Sequence, residues 1–204
     1  MNIIEDLAQQ FKQFPGIGPR QAKRFVYFLL KKDSAFRHEL SHKINELGQN
    51  VSVCQDCHNY FIKRDATNSQ KCGVCSNPNR DTETLMIVTS DTDLEIIEKS
   101  NIFHGKYFIL GGNLGLSNNL NQNNRIDKLK LKIQKEKDSI KEIILALSAT
   151  PEGEMTTNFL KKELRAITKP EIKISILGRG LSTGTEIEYS DAETIKNALS
   201  NRIS

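Results

Sequence analysis

The chain has 204 residues, of which 37% are hydrophobic, and it carries a formal net charge of +4 at neutral pH. This length fits one large domain or a few small ones, and no window approaches the roughly 18 consecutive apolar residues of a membrane span. The first residues lack the charged and apolar regions of a secretory signal, so we expect a protein of the reducing cytoplasm. These features argue against the membrane and secreted classes.

Positive charge is concentrated in the first part of the sequence. Residues 1–80 contain 12 lysines and arginines against 7 acidic residues, whereas residues 81–204 contain 17 against 18. This asymmetry favours a polyanionic partner for the first part, although ordinary scatter of surface charge explains the same counts about equally well.

The N-terminal third has the apolar periodicity of a small helical unit. Apolar residues recur at helical spacing from Ile3 to Phe14, and Pro15 ends that pattern. Pro19 suits the first turn of a second helix, where its missing N–H has no cost. A third periodic stretch covers residues 35–47.

The turn Gly-Ile-Gly-Pro joins the first two helices. Gly16 and Gly18 can adopt positive φ and bring backbone amides close to a ligand, and the helix N-terminus that follows offers unpaired donors. Arg20, Lys23 and Arg24 lie three and four residues apart, roughly on one face. The combination suits contact with backbone phosphates, but a packing turn explains the glycines equally well.

All four cysteines lie in one window with the spacing C-x2-C-x14-C-x2-C, namely Cys54, Cys57, Cys72 and Cys75. Paired thiolates on tight turns can share one tetrahedral ion, and Zn²⁺ bonds sulfur at roughly 2.3 Å. Because four thiolates leave no open coordination position, we predict one structural Zn²⁺ per chain. Two disulfides or free core cysteines are alternatives, which the spacing and the reducing compartment disfavour.

Strand-like and helix-like patterns alternate after the cysteine window. Strands are predicted at 84–90, 105–112, 142–148 and 171–180, and helices at 91–100, 125–141, 152–167 and 190–203. This alternation indicates an α/β layer with a mostly parallel sheet. The last helix has Ser190 or Asp191 as its predicted N-cap. The Asn-rich residues 114–125 are predicted to form a surface loop.

In order and spacing, these motifs resemble the RecR family of bacterial recombination mediators, from about Ile3 to the C-terminus. Residues 14–30 are similar to that family's helix-hairpin-helix segment, and the cysteine window is similar to its zinc motif. Residues 85–112 resemble its Toprim region. Residues 149–160 and 176–199 resemble its closing segments.

The resemblance implies a multi-domain α/β protein that does not catalyse a reaction. It implies a DNA-binding mediator of recombinational repair of gapped DNA, acting with RecO and RecF as a ring-like homo-oligomer, a dimer or a tetramer. In this family the basic residues after the hairpin contact DNA, and Arg20 and Arg24 occupy those positions, with Lys23 an extra cation between them. The implied domains are a helix-hairpin-helix domain at 1–53, a zinc finger at 54–79, a Toprim domain at 80–168 and a Walker-B-like region with a tail helix at 169–204.

Toprim enzymes use a glutamate after the first strand and clustered carboxylates to hold Mg²⁺. Here Thr89 stands where the family usually has that glutamate. The acidic residues Asp91, Asp93, Glu152 and Glu154 are expected at the C-terminal edge of the sheet. We favour charge complementarity at helix termini over catalysis for them. A vestigial metal site and a contact surface for RecO are the other interpretations.

Two other functions fit parts of the sequence. A Mg²⁺-dependent nuclease or primase of the Toprim type would need an acid–base glutamate, and Thr89 counts against it. A zinc-stabilised protein-interaction module would carry its basic charge incidentally. Glycine-rich residues 111–125 lack the Gly-Lys-Ser/Thr ending of a P-loop, so ATP binding is not expected. Residues 178–191 are predicted to shape a loop at an interface between copies of the chain.

Overall fold

The computed structural model describes residues 2–63, 70–113, 120–178, 180, 181, 184 and 186–200. The chain divides into two compact units, residues 1–52 and 53–204. Among the described residues, none of the helices has both the length and the apolar character needed to cross a membrane.

The first unit consists of three helices, α1 (Ile3–Phe11), α2 (Pro19–Lys31) and α3 (Ser34–Asn50). Pro19 occupies the first turn of α2, as its position in the sequence predicts. The buried side chains of this unit belong to α1 and α2, and they are small: Ala8, Ala22 and Val26.

Helix α3 forms where the periodicity predicts a helix, but it has no buried residue. Its predicted apolar face is more than a third exposed at every position, namely at Phe36, Leu40, Ile44 and Leu47. The described part of the chain therefore leaves this face largely uncovered.

The cysteine window and the residues just before it contain short regular elements. Two three-residue strands, β1 (Val51–Val53) and β2 (Tyr60–Ile62), form a small sheet, and a one-turn helix α4 covers Gly73–Ser76. We call residues 53–63 and 70–79 the cysteine knot.

A four-stranded sheet forms the centre of the second unit, and all its described strand pairs are parallel. The strand order is β4-β3-β5-β6, so β4 and β6 lie at the edges. The predicted mostly parallel α/β layer is therefore confirmed. Its elements are β3 (Thr84–Val88), α5 (Asp91–Ser100), β4 (Lys106–Ile109), α6 (Leu120–Lys135), β5 (Glu142–Ala146), α7 (Pro151–Arg165) and β6 (Lys173–Ile176).

Alternate residues of the strands point to opposite faces of the sheet, and helices cover both faces. On one face, Leu85 and Ile87 of β3 pack in a cluster with Leu129 of α6 and Leu160 of α7. On the other face, the cluster contains Met86 and Val88 of β3, Tyr107 and Ile109 of β4, and Leu94 of α5. The sheet is thus the middle layer of three.

Two helix boundaries differ from the sequence prediction. Helix α6 begins at Leu120, inside the Asn-rich stretch that was predicted as loop, and residues 114–119 lie outside the described residues. It ends at Lys135, because the carbonyl of Glu136 accepts the amides of Ser139 and Ile140 in a turn, both at 3.0 Å. The tail helix α8 (Ala192–Ser200) begins as predicted, with Asp191 accepting two backbone amides at 2.9 Å.

Candidate metal centre and nucleic-acid interface

The Sγ atoms of Cys54, Cys57, Cys72 and Cys75 lie within 4.8 Å of one another. All four are free thiols, and the Sγ atoms of Cys57 and Cys72 are 3.5 Å apart, well beyond the roughly 2.05 Å of a disulfide. A tetrahedral ion with sulfur ligands at roughly 2.3 Å separates the sulfurs by about 3.8 Å. The donor set therefore fits one tetrahedral ion, and the predicted clustering is confirmed.

Tight backbone turns bring the two cysteine pairs together. In the first pair, the amide of His58 donates to the carbonyl of Cys54 at 3.0 Å, and His58 adopts a left-handed φ of 66°. In the second pair, Cys72 is the N-cap of α4, and its amide donates to the Sγ of Cys54 at 3.3 Å. Hydrogen bonds from the thiols of Cys57, Cys72 and Cys75 lower the pKa of Cys54.

The interior of the cysteine knot consists mainly of the candidate metal ligands themselves. Cys54, Cys57 and Cys72 are fully buried, and only partly buried side chains such as Phe61 and Val74 pack against them. Few apolar contacts are therefore available to hold the knot together without a metal.

Three contacts attach the knot to the parallel sheet. The amide of Ile109, on the edge strand β4, donates to the carbonyl of Cys57 at 2.8 Å. The amide of Tyr60 donates to Asp91 Oδ1 at 3.0 Å. Lys106 Nζ donates to the carbonyl of Cys75 at 3.3 Å and to two neighbouring carbonyls. Sequence reasoning missed these contacts, because their partners are 29 to 52 residues apart and no spacing marks them.

An ion pair connects Arg80, which directly follows the cysteine knot, to Glu98 of α5, and Tyr107 of β4 bonds to the same glutamate. Arg80 donates to both carboxylate oxygens of Glu98, at 2.7 and 3.0 Å, and Tyr107 Oη donates to the same carboxylate at 2.7 Å. Burial by itself raises the pKa of Glu98, but the hydrogen bonds from Arg80 and Tyr107 outweigh it, so the net pKa is lowered. Burial and the contact with Glu98 raise the pKa of Tyr107, which keeps its hydroxyl a donor.

The hairpin turn between α1 and α2 differs in one respect from the expectation. Gly16 has a positive φ of 76°, as predicted, but Gly18 has an ordinary φ of −81° as the N-cap of α2. No side chain in the described part of the protein caps this helix N-terminus, so its first-turn amides remain available. A Cβ atom at Gly16 or Gly18 would have no neighbour within 4 Å. Close packing inside the described chain therefore does not require glycine at position 18.

The three basic residues after the turn are all exposed, but they are not equivalent. Lys23 Nζ forms an ion pair with Glu5 Oε1 at 2.6 Å, and this hydrogen bond raises the pKa of Lys23. Arg24 donates to the side chain of Gln21 at 3.3 Å. Neither Arg20 nor Arg24 forms an ion pair within the described residues. The two arginines are thus the cations most available to a ligand.

Asp91 and Asp93 accept hydrogen bonds near the start of α5. Asp93 Oδ2 accepts the amide and the hydroxyl of Ser90, both at 2.8 Å, in the capping box of α5. Asp91 accepts the Tyr60 amide, as described above. Glu152 and Glu154 lie in the first turn of α7, where negative charge complements the helix dipole.

The carboxylates follow adjacent strands but do not form a metal-binding cluster. β3 and β5 are neighbours, so Asp91 and Glu152 come after strand ends at one edge of the sheet. Among the described residues, however, the four cysteines are the only group of three or more potential ligands close enough to share an ion. The carbonyl of Thr89, the residue that the resemblance aligns with the Toprim glutamate, accepts the amides of Gly111 and Gly112 at 2.9 and 3.0 Å.

The second unit has a parallel sheet between two layers of helices, together with the four-cysteine knot, and the first unit contains a helical hairpin. This combination defines a Toprim protein with an attached helix-hairpin-helix. Family models match the same regions: a Toprim domain at 83–178, a RecR helix-hairpin-helix at 4–47 and a RecR C-terminal segment at 180–203.

Full-length relatives agree with these matches. Recombination protein RecR of Legionella pneumophila is 36% identical over 203 residues, which cover 99% of this chain and 96% of the relative. The RecR proteins of Ureaplasma urealyticum and Phytoplasma mali are each 36% identical, over 98% of this chain and 94% and 93% of their own lengths. The chain belongs to the RecR family of recombination proteins, and the resemblance inferred from the sequence is confirmed.

Proposed function

We propose that this protein is a non-catalytic, DNA-binding mediator of recombinational repair in the cytoplasm. In this proposal it acts as a ring-like clamp, with RecO and RecF as partners and with the four-part domain division given by the resemblance. Family membership supports the role in recombination. The non-catalytic assignment is supported by Thr89, which has no acid–base group, and by the described carboxylates, which do not gather around one ion position.

The open hairpin turn is the observation that carries the DNA-binding assignment. Among the residues that the structure describes, none packs so closely on Gly18 that glycine is required, and none caps the amides of the α2 N-terminus with its side chain. Arg20 and Arg24 are exposed beside these amides and have no acidic partner in the described chain. Approachable amides together with free arginines form a site for backbone phosphates. A turn that served packing alone would show neighbours around Gly18.

We expect the double substitution Arg20→Ala with Arg24→Ala to weaken DNA binding at least roughly tenfold, because charge-assisted phosphate contacts are lost. The slope of log affinity against log salt should fall by about two, one for each contact. Fluorescence anisotropy with labelled duplex and single-stranded DNA at several salt concentrations measures both quantities. The double variant Lys12→Ala with Lys31→Ala removes the same charge from the same unit outside this turn and serves as the control.

A second variant tests the shape of the turn without changing its charge. Gly18→Ala should fold normally, because the residue has φ of −81° and open space around it, but its methyl group should obstruct the approach of a phosphate. If both the arginine variant and Gly18→Ala bind DNA as tightly as the control, the hairpin is not the DNA site.

We infer that the ion of the cysteine knot is Zn²⁺ with a structural role. Four thiolates select a soft or borderline ion, and tetrahedral zinc has no redox chemistry and no open position when all four ligands are cysteines. When bound, the ion would tie the two turns of the knot together.

The homo-oligomer is supported by an apolar groove within the first unit. The groove has a volume of about 720 Å³ and is lined mainly by apolar side chains of α1, α2 and α3. Its lining includes Ile3, Phe14, Leu30 and Ile44, which are 76%, 57%, 57% and 59% exposed. Exposed apolar surface of this extent is typical of an interface. Because every copy presents the same groove and the same uncovered α3 face, we propose a second copy as its occupant.

We expect Ile44→Asp to lower the oligomeric mass, because it places a charge inside the proposed interface. Size-exclusion chromatography with light scattering measures the mass. His38→Asp places the same side chain on α3 outside the groove and should leave the mass unchanged. An unchanged mass of Ile44→Asp would show that this groove is not the interface.

For RecO, we propose a contact at the start of α7. Glu152 and Glu154 are the candidates, because both lie in the first turn of α7, which follows the end of β5. The double substitution Glu152→Ala with Glu154→Ala should reduce the capture of RecO in a pull-down. Glu95→Ala with Glu171→Ala changes the same charge elsewhere on the second unit. Equal capture by the two variants would remove these residues from the RecO contact.

A further inference from the structure

A second cavity lies in the second unit, between the cysteine knot and helix α6. Its volume is about 520 Å³, and we call it the α6 cleft. Its lining includes Cys54, Gln55 and His58 of the knot and Lys128, Lys132 and Lys135 of the helix. The hairpin turn belongs to the first unit, so the α6 cleft is a separate site.

The three lysines form a row on one face of α6. Their spacing of four and three residues places them on successive turns, and the row extends about 10 Å along the helix axis at 1.5 Å per residue. Lys132 forms an ion pair with Glu136 at 2.7 Å. Lys128 and Lys135 are exposed and have no ion pair within the described residues. The α6 cleft thus has a free cation towards each end of the row.

The acidic residues of the α6 cleft do not neutralise these two cations. Asp56 lines the cleft but forms its ion pair with Lys71, at 2.7 Å between Nζ and Oδ2. Glu136 is the partner of Lys132. The positive charge of Lys128 and Lys135 is therefore available to an anion from outside the described chain.

His58 supplies an independent observation. His58 lines the α6 cleft and is only 7% exposed, yet its Nδ1 atom has no hydrogen-bond partner among the described residues. Buried polar atoms are nearly always paired, so an orphaned nitrogen in a residue that lines a cavity indicates a partner that the described chain does not provide. The ring is held in place by packing against Phe108, with ring centroids 4.9 Å apart.

We propose that the α6 cleft is a second DNA contact, which binds backbone phosphates through Lys128 and Lys135, with His58 Nδ1 donating a hydrogen bond inside the cleft. This inference rests on the proposed DNA-binding function. The two lysines leave the helix about 10 Å apart along its axis, and a nucleic-acid strand, which carries one charge per nucleotide along its length, can engage each of them with a different phosphate. A row of cations beside an enclosed donor therefore matches a strand better than a small anion.

The test uses the full-length, metal-loaded protein and fluorescein-labelled single-stranded and duplex oligonucleotides. We expect Lys128→Gln with Lys135→Gln to reduce the slope of log affinity against log salt by about two. The control, Lys99→Gln with Lys161→Gln, removes the same charge from exposed positions of α5 and α7. Metal content and thermal unfolding are measured for both variants.

Three results would overturn the inference. If the α6 variant binds DNA like its control while Arg20→Ala with Arg24→Ala binds weakly, the proposed function stands and the α6 cleft is not a DNA contact; an acidic protein surface is then its better occupant. If the α6 variant loses metal, the lysines serve to balance the charge of the thiolates. If the wild-type protein has no affinity for DNA, the inference and the proposed function fail together.

The role of His58 is tested separately by nuclear magnetic resonance of the wild-type protein with ¹⁵N-labelled histidine. The four histidines give few side-chain signals, and His58→Asn, which tolerates a left-handed φ, identifies the signal of His58. Addition of unlabelled oligonucleotide should shift that signal in the wild type and not in Lys128→Gln with Lys135→Gln. An unshifted signal at saturating DNA would remove His58 from the contact.

Discussion

Replacing Cys57 with serine is expected to release the metal and to unfold the cysteine knot. Serine does not ionise near neutral pH and so cannot act as a thiolate ligand, which leaves three ligands for the ion. The loss is severe because the buried cluster of the knot consists mainly of cysteines. In zinc-finger peptides the metal supplies about 10 kcal/mol or more of folding free energy, and little apolar packing is present here to replace it.

Metal analysis of purified protein measures this prediction directly. Wild-type protein should contain about one zinc per chain, and Cys57→Ser close to none, with a clearly lower midpoint of thermal unfolding. Gln55→Ser introduces the same side chain into the same turn at an exposed position and should retain the metal. Full zinc content and an unchanged midpoint in Cys57→Ser would contradict a structural four-cysteine site.

The second large effect is expected for Gly153→Ala at the start of α7. A Cβ atom at Gly153 would lie 1.9 Å from the carbonyl oxygen of Ser148 and 2.8 Å from its carbonyl carbon. Both are backbone atoms, so the helix or the loop after β5 must move. We expect a loss of about 3 kcal/mol in the free energy of unfolding, which exceeds the roughly 1 kcal/mol that alanine gains over glycine in a helix.

Chemical denaturation followed by circular dichroism gives the free energy of unfolding of each variant. Gly48→Ala, in α3, is the control, since its Cβ would meet no atom within 4 Å and it should gain about 1 kcal/mol of stability. A Gly153→Ala variant as stable as the wild type would mean that α7 starts in a different position relative to Ser148.

Features with a local cause could be predicted from the sequence. The spacing of Cys54, Cys57, Cys72 and Cys75 predicted their clustering, because two residues between ligands are enough for one tight turn. Apolar strand segments alternate with helical segments along the chain, and this order predicted the parallel sheet. The strands of such a sheet are buried on both faces and are therefore continuous apolar runs. Pro19 and Asp191 predicted helix starts, because both act on the backbone of their own first turn.

Features that depend on distant contacts could not be predicted. Nothing in the sequence shows that Ser148 approaches Gly153, that Glu5 holds Lys23, or that the four carboxylates at the sheet edge stay apart. The α6 cleft was missed for the same reason, since it forms only when the cysteine knot lies beside α6. The Asn-rich composition favoured a loop, but α6 starts within it at Leu120.

The backbone hydrogen bond between the Ile109 amide and the Cys57 carbonyl affects how exposed the edge of the sheet is. β4 is an edge strand, and edge strands with unpaired amides can pair with the strands of other molecules. The carbonyl of Cys57 accepts a hydrogen bond from one such amide, that of Ile109, so the folded knot covers part of this edge. Loss of the ion would uncover it, and metal-depleted protein should therefore self-associate through added β-strands, which light scattering of chelator-treated samples would detect.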